Sequence, residues 1–199
     1  MTMVRDQIEA RGVKDPRVLE AMRQVPRHRF APPALQELAY ADAPLPLERG
    51  ATLSQPFIVA FMAEALLLKG GEKVLEVGSG SGYLLAVLSQ LAGEVHGMEL
   101  EEVLVQSSSG LLNELGYAVQ VHGGDGRLGL PAFAPFDAIV LSCAAETLPS
   151  ALLDQLKDGG RMVMPLGPAH GHQELLRLTK QGEGLKEERL MGVAFVPLR

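Results

Sequence analysis

The sequence reads "VLEVGSGSGY" from Val74 to Tyr83, and this pattern sets the fold class expected for the whole chain. Apolar residues typical of a buried strand lead into Gly78-x-Gly80-x-Gly82, and the helical pattern "YLLAVLSQLAG" follows at once. Glycines at a turn from strand to helix allow a tight bend and let a ligand approach the backbone closely. The pattern therefore predicts a strand, a ligand-binding loop and a helix in succession.

Strands and helices continue to alternate through the rest of the chain. Short apolar runs suited to strands alternate with helical stretches in "EVHGMEL", "VLVQSSSGLLNELG", "AVQVHG", "FDAIVLS", "SALLDQLKDGG" and "RMVMPLG". This order predicts an α/β fold with a Rossmann-like, doubly wound and mostly parallel sheet. Gly116 and the pair Gly159-Gly160 follow helical patterns, which predicts left-handed helix ends there. The tail "QELLRLTKQGEGLKEERLMGVAFVPL" predicts antiparallel strands at one edge of the sheet.

The first 70 residues differ from this core. "MVRDQIEARGV" and "DPRVLEAMRQV" have helical spacing, and the second opens with Asp15 as N-cap before Pro16. "FAPPALQELAYADAPLPLERG" is rich in proline and predicts an ordered surface loop. The basic cluster "RQVPRHRF" fits either a solvated loop or a segment that attracts an anionic group. We expect a single domain, with an N-terminal helical and loop extension at 1–70 and a cofactor-binding core at 71–199.

Composition limits the classes of function. The net charge of −6 and the pI near 5.4 argue against broad binding of nucleic acid, which needs clustered cations. The apolar runs are interrupted by charges, and the charged N-terminus does not resemble an export signal, so we expect no membrane span. The single Cys143 excludes an internal disulfide, and the five histidines lack ligand spacing, so we expect no metal. A cytoplasmic monomer is the expectation.

Two features of the glycine loop separate its possible ligands. A dinucleotide fingerprint needs its third glycine where Tyr83 stands, and a P-loop needs a lysine that the sequence lacks. Glu76 precedes the glycines, and a carboxylate there disfavours a pyrophosphate. The spacing acidic-x-Gly-x-Gly-x-Gly resembles the first motif of methyltransferases that use S-adenosylmethionine. That cofactor has a cationic amino group and a cationic sulfonium, which suit acidic surroundings.

Two further acids occupy positions suited to the same ligand. Glu99 ends the next apolar strand, about 20 residues after the loop, where a carboxylate can accept hydrogen bonds from both ribose hydroxyls. The alternative for Glu99 is an acid that favours the start of a helix. Asp125, in "GGDGR" after the strand "AVQVH", is a candidate for the adenine amino group, and an Asx turn is its alternative.

Six segments together carry a more specific resemblance: "DPRVLEAMRQVPRHRF", "AYADAPLPLERGATLSQPFIVAFM", "VLEVGSGSGYLLAVLSQL", "GDGRLGLPAFAPFDAIVLSCAA", "LLDQLKDGGRMVMPLG" and "GVAFVPL". From about Val4 to Leu198 the chain resembles the protein-L-isoaspartate O-methyltransferase family. The N-terminal pieces are the most diagnostic, because "VPRHRF" and "TLSQP" have no role in generic cofactor binding. The resemblance implies methyl transfer from S-adenosylmethionine to the α-carboxylate of isoaspartyl residues in damaged proteins and peptides, with S-adenosylhomocysteine as product.

The resemblance also assigns residues. Thr52, Leu53 and Ser54 match the segment that closes over cofactor and substrate, and Glu76, Gly78, Glu99, Asp125 and Gly126 match cofactor contacts. The full predicted cofactor set is Thr52, Leu53, Glu76, Gly78, Ser79, Gly80, Gly82, Glu99, Leu100, Asp125 and Gly126. Ser54 is expected to orient the substrate carboxylate and not to form a covalent intermediate, since no His-Asp pair is suggested to activate it. Capping the helix that starts near Gln55-Pro56 is the alternative for Ser54.

Some residues depart from the family pattern. "VQSSSGLL" places three serines and Gly110 inside the helix after Glu99, which predicts a kink or a 3₁₀ stretch beside the adenine pocket. Cys143 is expected to be a small buried residue near the substrate cleft and not a reactive group. These departures keep open a methyltransferase acting on another acceptor, or a cofactor-binding module without catalysis. A nicotinamide oxidoreductase is disfavoured by the glycine spacing.

Overall fold

The computed structural model describes residues 2–169 and 171–199, and within them a seven-stranded sheet organises the chain. A short hairpin comes first, made of β1 (Leu45–Pro46) and β2 (Thr52–Leu53). The sheet strands are β3 (Lys73–Val77), β4 (Glu94–Glu99), β5 (Gln120–Gly123), β6 (Phe136–Leu141), β7 (Leu156–Leu166), β8 (Gln173–Gln181) and β9 (Gly184–Val193). The α-helices are α1 (Pro16–Gln24), α2 (Pro56–Ala65), α3 (Tyr83–Leu88), α4 (Glu102–Glu114) and α5 (Ser150–Asp154).

The strand order confirms the predicted doubly wound fold. The strands lie in the order β5-β4-β3-β6-β7-β8-β9, so the chain moves outward from β3 in one direction and then in the other. Strands β3 to β7 pair in parallel, whereas β8 and β9 are antiparallel, as the tail pattern predicts. In sheets of this kind ligands bind where the strand order reverses, outside the carboxyl ends of the strands. Here that point lies between β3 and β6.

Both faces of β3 are buried, as the continuous apolar run predicts. Val74 packs into a cluster on one face that also contains Val4 and Met22 of the N-terminal extension. Leu75 and Val77 pack into a second cluster on the opposite face. The extension therefore shares the core of the α/β unit on one side of the sheet, and this packing fixes the position of the segment that follows it.

The structure corrects the predicted helix in "SALLDQLKDGG". The helix α5 ends at Asp154, and β7 already begins at Leu156. Gly159 has a positive φ of 73°, but it lies inside β7, at a register shift between the pairs Phe136–Leu156 and Ala138–Arg161. The two glycines therefore form an irregularity in a strand and not a helix end, which local spacing alone does not distinguish.

The predicted kink in the serine-rich helix is also wrong. Helix α4 is continuous over 13 residues, and the hydroxyls of Ser107 and Ser108 donate to backbone carbonyls one turn earlier. Gly116 does have the predicted left-handed conformation, with a φ of 77°. Its N–H donates to Asn113 and the next N–H, from Tyr117, donates to Leu112, so the helix ends in a Schellman motif.

The basic cluster "RQVPRHRF" is not a solvated loop, because it forms the end of α1 and a 3₁₀ turn. Arg27 is fully buried, its Nε donates to the carbonyl of Ala39 at 2.6 Å, and its guanidinium lies over the Tyr83 ring. Arg29 pairs with Glu114 at 2.6 Å. These cations join the N-terminal extension to α3 and α4, an internal role that charge patterning does not reveal.

Two other features of the N-terminal extension differ from the sequence expectation or add to it. "MVRDQIEARGV" forms a π-helical turn, Val4–Ile8, and a 3₁₀ turn, Glu9–Arg11, in place of a regular helix. The proline-rich stretch contains the 3₁₀ turn Pro33–Leu38 and strand β1. A search of residues 2–169 and 171–199 finds no helix with both the length and the apolar character needed to cross a membrane.

The N-cap of α1 generates a stability prediction. The Asp15 side chain accepts a hydrogen bond from the N–H of Arg17 at 2.9 Å, and Pro16 occupies the first helical position. Removing this cap in Asp15→Ala should cost about 1 kcal/mol of unfolding free energy, which lowers the melting temperature by about 2–4 °C. Asp15→Asn keeps an acceptor oxygen and should lose less than half as much. Equal losses of unfolding free energy in the two variants would assign the effect to the ion pair between Asp15 and Arg17 instead.

Candidate active site

The carboxyl ends of β3, β4 and β6 meet at the point where the strand order reverses, and a cavity opens there. We call it the larger cavity, because a smaller one lies directly beside it. The cavity is lined by Gly78 and Gly80 of the glycine loop, by Glu99 and Leu100 at the end of β4, and by Gly126. Two further walls come from outside the parallel strands: the hairpin turn 49–52 and the tail 196–199. The topology therefore brings most of the predicted cofactor residues together.

The glycine loop has a backbone shape that favours glycine at each of its three positions. Gly78, Gly80 and Gly82 have φ values of 78°, 52° and 82°, all in the left-handed region. The N–H groups of Gly78 and Ser79 donate to the Met98 carbonyl at 2.8 and 3.1 Å, which ties the loop to the end of β4. The loop thus presents its backbone to the cavity without intervening side chains.

Glu99 connects the loop to the next helix. One carboxylate oxygen, Oε2, accepts from the N–H of Gly80 at 2.9 Å, and the other, Oε1, accepts from the N–H of Glu101 at 3.0 Å. The side chain is buried and lines the larger cavity. Each carboxylate oxygen has a second lone pair. Glu99 therefore supports the start of α4, as its alternative interpretation predicts, and can still accept hydrogen bonds from a ligand.

A smaller cavity lies beside the larger one, between the hairpin and the amino end of α3. It is lined by Leu53, Glu76, Ser79, Tyr83 and Ser142 among others, while Thr52 and Gly78 line both cavities. Glu76 is almost completely buried, and its Oε1 accepts a hydrogen bond of 2.6 Å from the Ser142 hydroxyl. Burial raises the pKa of Glu76 to about 8; the Ser142 hydrogen bond opposes this shift and the like charge of Glu99 adds to it.

Two orphaned polar atoms test whether this site suits the predicted cofactor. Glu76 Oε2 and Ser79 Oγ are buried without a hydrogen-bond partner, and both residues line the smaller cavity. Buried polar atoms without partners are costly, so such atoms indicate a missing partner. A carboxylate oxygen and a hydroxyl are the acceptors that an ammonium group requires. The residues present therefore fit the amino-acid end of S-adenosylmethionine, with its adenosyl end toward Glu99.

Three further residues predicted to bind the cofactor lie in different surroundings: Asp125 in a turn, Gly126 at the larger cavity and Gly82 beside α4. The Asp125 carboxylate accepts from the N–H of Arg127 at 2.9 Å and pairs with its guanidinium, which is the turn expected in the alternative interpretation. Arg127 holds the pKa of Asp125 below its usual range. A Cβ at Gly126 would come within 2.4 Å of Val77 Cγ1, and one at Gly82 within 2.9 Å of Leu112 Cδ1. Gly126 lines the larger cavity, whereas the structure places Gly82 against α4.

The segment Thr52–Ser54 leaves the hairpin and enters α2. Arg49 and Gly50 both have positive φ at the hairpin turn, and the hairpin packs on the glycine loop, where a Cβ at Gly80 would come 3.6 Å from Leu47 Cδ1. Ser54 does not cap α2, because the N-cap is Gln55 and no side chain bonds the first turn. The capping alternative for Ser54 is therefore wrong.

Ser54 instead lies between two spaces. It lines the smaller cavity on one side and, on the other, a surface depression that we call the outer groove. The groove is bounded by Gln55 and Ile58 of the α2 end and by the segment 191–195 at the end of β9. Thr52 lines both cavities and the groove. The Ser54 hydroxyl is thus placed where a group entering from the groove would meet one held in the cavity.

Two contributors to the site, Ser142 and the tail, were not predicted from the sequence, and a third, Cys143, was predicted at the substrate cleft. Ser142 follows β6 and reaches Glu76, and the tail Val196–Leu198 lines the larger cavity because it pairs with Ala144. Cys143 is buried as expected, but it lines the larger cavity beside Gly78. Burial raises the pKa of its thiol to about 12, so it is not a thiolate. The one sequence signal was that residues 142 and 143 directly follow a central strand.

Comparison with known proteins places this geometry in a family. The protein-L-isoaspartate(D-aspartate) O-methyltransferase family model matches residues 1–199. This chain belongs to the protein-L-isoaspartate(D-aspartate) O-methyltransferase family. A relative named protein-L-isoaspartate O-methyltransferase 2, from Anaeromyxobacter sp. (strain Fw109-5), is 57% identical over 198 residues, covering 99% of this chain and 82% of the relative. A second, from Rhodopseudomonas palustris (strain ATCC BAA-98 / CGA009), is 53% identical and covers 98% and 91%.

Solved structures of the same family share the fold. One protein-L-isoaspartate O-methyltransferase matches with a TM-score of 0.85 at 28% identity, over 95% of this chain and 62% of its own. A crystal structure from Plasmodium falciparum, described as a protein-L-isoaspartate O-methyltransferase in complex with S-adenosyl-L-homocysteine, matches with a TM-score of 0.86 at 26% identity, over 100% and 97%. Family membership and fold therefore agree with the resemblance seen in the sequence.

The buried carboxyl generates a pH prediction. In the unfolded chain Glu76 has the ordinary pKa of a glutamate side chain, 4.5, whereas burial in the folded protein raises its pKa to about 8. The contribution of Glu76 to the free energy of unfolding is therefore fully present below about pH 4.5. It is lost as the pH rises toward 8, by up to about 1.4 kcal/mol per pH unit. Glu76→Gln does not titrate, so its melting temperature should gain on that of the wild type between pH 5 and pH 8. A constant difference across this range would contradict the prediction.

Proposed function

We propose that this protein transfers a methyl group from S-adenosylmethionine to the α-carboxylate of L-isoaspartyl residues in damaged proteins and peptides. Two facts support the proposal: membership of the family over the whole chain, and relatives at 57% and 53% identity that are named for this reaction. The observation that carries it is the position of Thr52–Ser54, which separates a cavity suited to a cationic cofactor from an open groove.

The cofactor residues divide by the part of the ligand that they suit. Glu76 and Ser79 would accept hydrogen bonds from the amino group, and Glu99 would accept them from the ribose hydroxyls. Leu100, which is half exposed at the cavity rim, and Gly126 would contact the adenine ring. Asp125 remains a candidate for the adenine amino group, although it must share its carboxylate with Arg127. Gly78, Gly80 and Gly82 would shape the loop.

The acceptor needs no general base. An α-carboxylate titrates near pH 4, so it reaches the site as the nucleophilic anion. S-adenosylmethionine, when bound, supplies an electrophilic methyl group on a sulfonium. The task of the chain's own residues is to align the two ligands and exclude water, with the buried Leu53 closing the site and the Ser54 hydroxyl donating to the carboxylate.

The acceptor peptide would lie extended in the outer groove. The sequence suggests pairing near "VAFVPL", but much of that segment is already paired: Gln173 bonds Phe195, and Ala144 bonds Val196 and Leu198. The available backbone is the edge of β9 around 191–194, because β9 is the outermost strand of the sheet. Recognition through backbone would let the enzyme accept many flanking sequences.

The product ester cyclises to a succinimide without the enzyme, and hydrolysis then returns some normal aspartate, so the net effect is protein repair. We further propose that the protein acts as a single-domain monomer in the cytoplasm. The shared core of the extension and the sheet supports one domain. The net charge of −6 supports protein rather than nucleic-acid substrates.

A paired-peptide assay tests the proposed reaction. One peptide is offered in isoaspartyl and normal aspartyl forms with radiolabelled methyl donor. We expect base-labile methyl esters on the isoaspartyl form only, because the proposed groove would position an α-carboxylate that follows the additional backbone methylene of isoaspartate. Binding of the donor with no labelling of either form would indicate a different acceptor or a binding module, and equal labelling of both forms would refute the specificity.

Substitution of Ser54 tests its positioning role. Ser54→Ala should lower kcat/KM by roughly tenfold or more, the expected loss of one hydrogen bond to a charged group. The melting temperature should not change, because the hydroxyl caps no helix. Ser89→Ala serves as the matched control, since its hydroxyl donates to Ala86 at the end of α3, outside both cavities. Normal kcat/KM in Ser54→Ala would remove the residue from the mechanism.

A further inference from the structure

The environment of Glu76 contains acidic and neutral groups. Ser142, at the end of β6, donates a hydrogen bond to it, the N–H of Leu85 on α3 lies near it, the Cys143 thiol is a buried neutral neighbour, and Tyr83 lines the same cavity. Glu99, at the end of β4, is the charged group among these described neighbours. A carboxylate buried beside a like charge, with one oxygen unpartnered, is strongly disfavoured relative to the neutral acid.

We infer that Glu76 carries a proton in the free protein and releases it to solvent when the cationic amino group of the methyl donor or its product binds. The inference rests on the proposed function only in requiring that this cofactor binds. The carboxylic acid becomes a carboxylate, the proton passes to the buffer, and no covalent bond to carbon changes. The ammonium then replaces the proton as partner of the orphaned Oε2.

Ser142 is the positioning residue for this exchange. Its hydroxyl holds Oε1 at 2.6 Å, which leaves Oε2 directed at the smaller cavity, and Ser142 itself lines both cavities. A hydrogen bond to the ionised carboxylate favours the charged form. Ser142 therefore lowers the pH above which the cofactor binds without displacing a proton. No sequence pattern assigned this serine to the cofactor.

Linkage gives the expected pH dependence. If one proton leaves for each cofactor bound, affinity rises by up to tenfold per pH unit until Glu76 is ionised in the free protein, and is then constant. Removing the serine hydroxyl should move the start of this plateau to higher pH. Threonine at the same position keeps the hydroxyl and should restore the wild-type plateau.

Calorimetry with S-adenosyl-L-homocysteine tests the inference on the full chain. Titrations at pH 7 in phosphate and in Tris, which differ in ionisation enthalpy, give the number of protons released per ligand bound. We expect close to one for the wild type and for Ser89→Ala, and close to zero for Glu76→Gln. Ser142→Ala should bind at least fivefold more weakly at pH 7 and plateau at higher pH, whereas Ser142→Thr should behave as the wild type.

The outcomes separate the two proposals. Wild-type binding without proton release overturns the inference and leaves the proposed function standing. Absence of any binding at millimolar ligand overturns the proposed cofactor and the inference with it. If Glu76→Gln does not fold, the number of protons that the wild type releases per ligand bound tests the inference by itself. A lower melting temperature in Ser142→Ala with an unmoved pH plateau would assign the serine a structural role only and overturn its part in the exchange.

Discussion

The carboxylate of Glu99 is the contact on which the rest of the site depends. One of its oxygens accepts from Gly80 and the other from Glu101, so a single side chain joins the glycine loop to the start of α4. The Met98 carbonyl reinforces the same junction by accepting from Gly78 and Ser79. Because β3 and β4 are parallel neighbours, these bonds hold the loop open in one conformation, and the left-handed φ values of its glycines follow from that geometry. These hydrogen bonds shape the backbone that lines the cavity.

The N-terminal extension contributes to the site first of all by packing. Its apolar residues share one core cluster with the sheet, and buried Arg27 links it to Tyr83, the first residue of the helix after the loop. This anchoring positions the β1–β2 hairpin over the glycine loop and brings Thr52 to the meeting point of both cavities and the groove. A generic cofactor-binding core thereby gains a second, acceptor-facing side.

Much of this could be predicted from the sequence, and the failures have physical causes. The fold and the residues Gly78, Gly80 and Glu99 follow from strand and helix periodicity combined with loop spacing, both of which are local. The helix end predicted at Gly159-Gly160 is wrong because glycine with positive φ suits a strand irregularity as well as a helix end. Ser142 and the tail at 196–198 could not be found, since they join the site through contacts across the sheet. The kink predicted in α4 failed because its serines bond their own backbone within a regular helix.

The end of β9 and the segment that follows it contact two binding spaces in succession. Residues 191–195 border the groove and residues 196–199 border the larger cavity, and Gln173 and Ala144 fasten the stretch between them. A ligand in either space therefore contacts the same short piece of backbone. Any effect that one ligand has on the affinity of the other through this stretch must be reciprocal, so that each changes the other's affinity by the same factor. Gln173 fastens the stretch with its side chain, so a substitution there would loosen the connection between the two spaces.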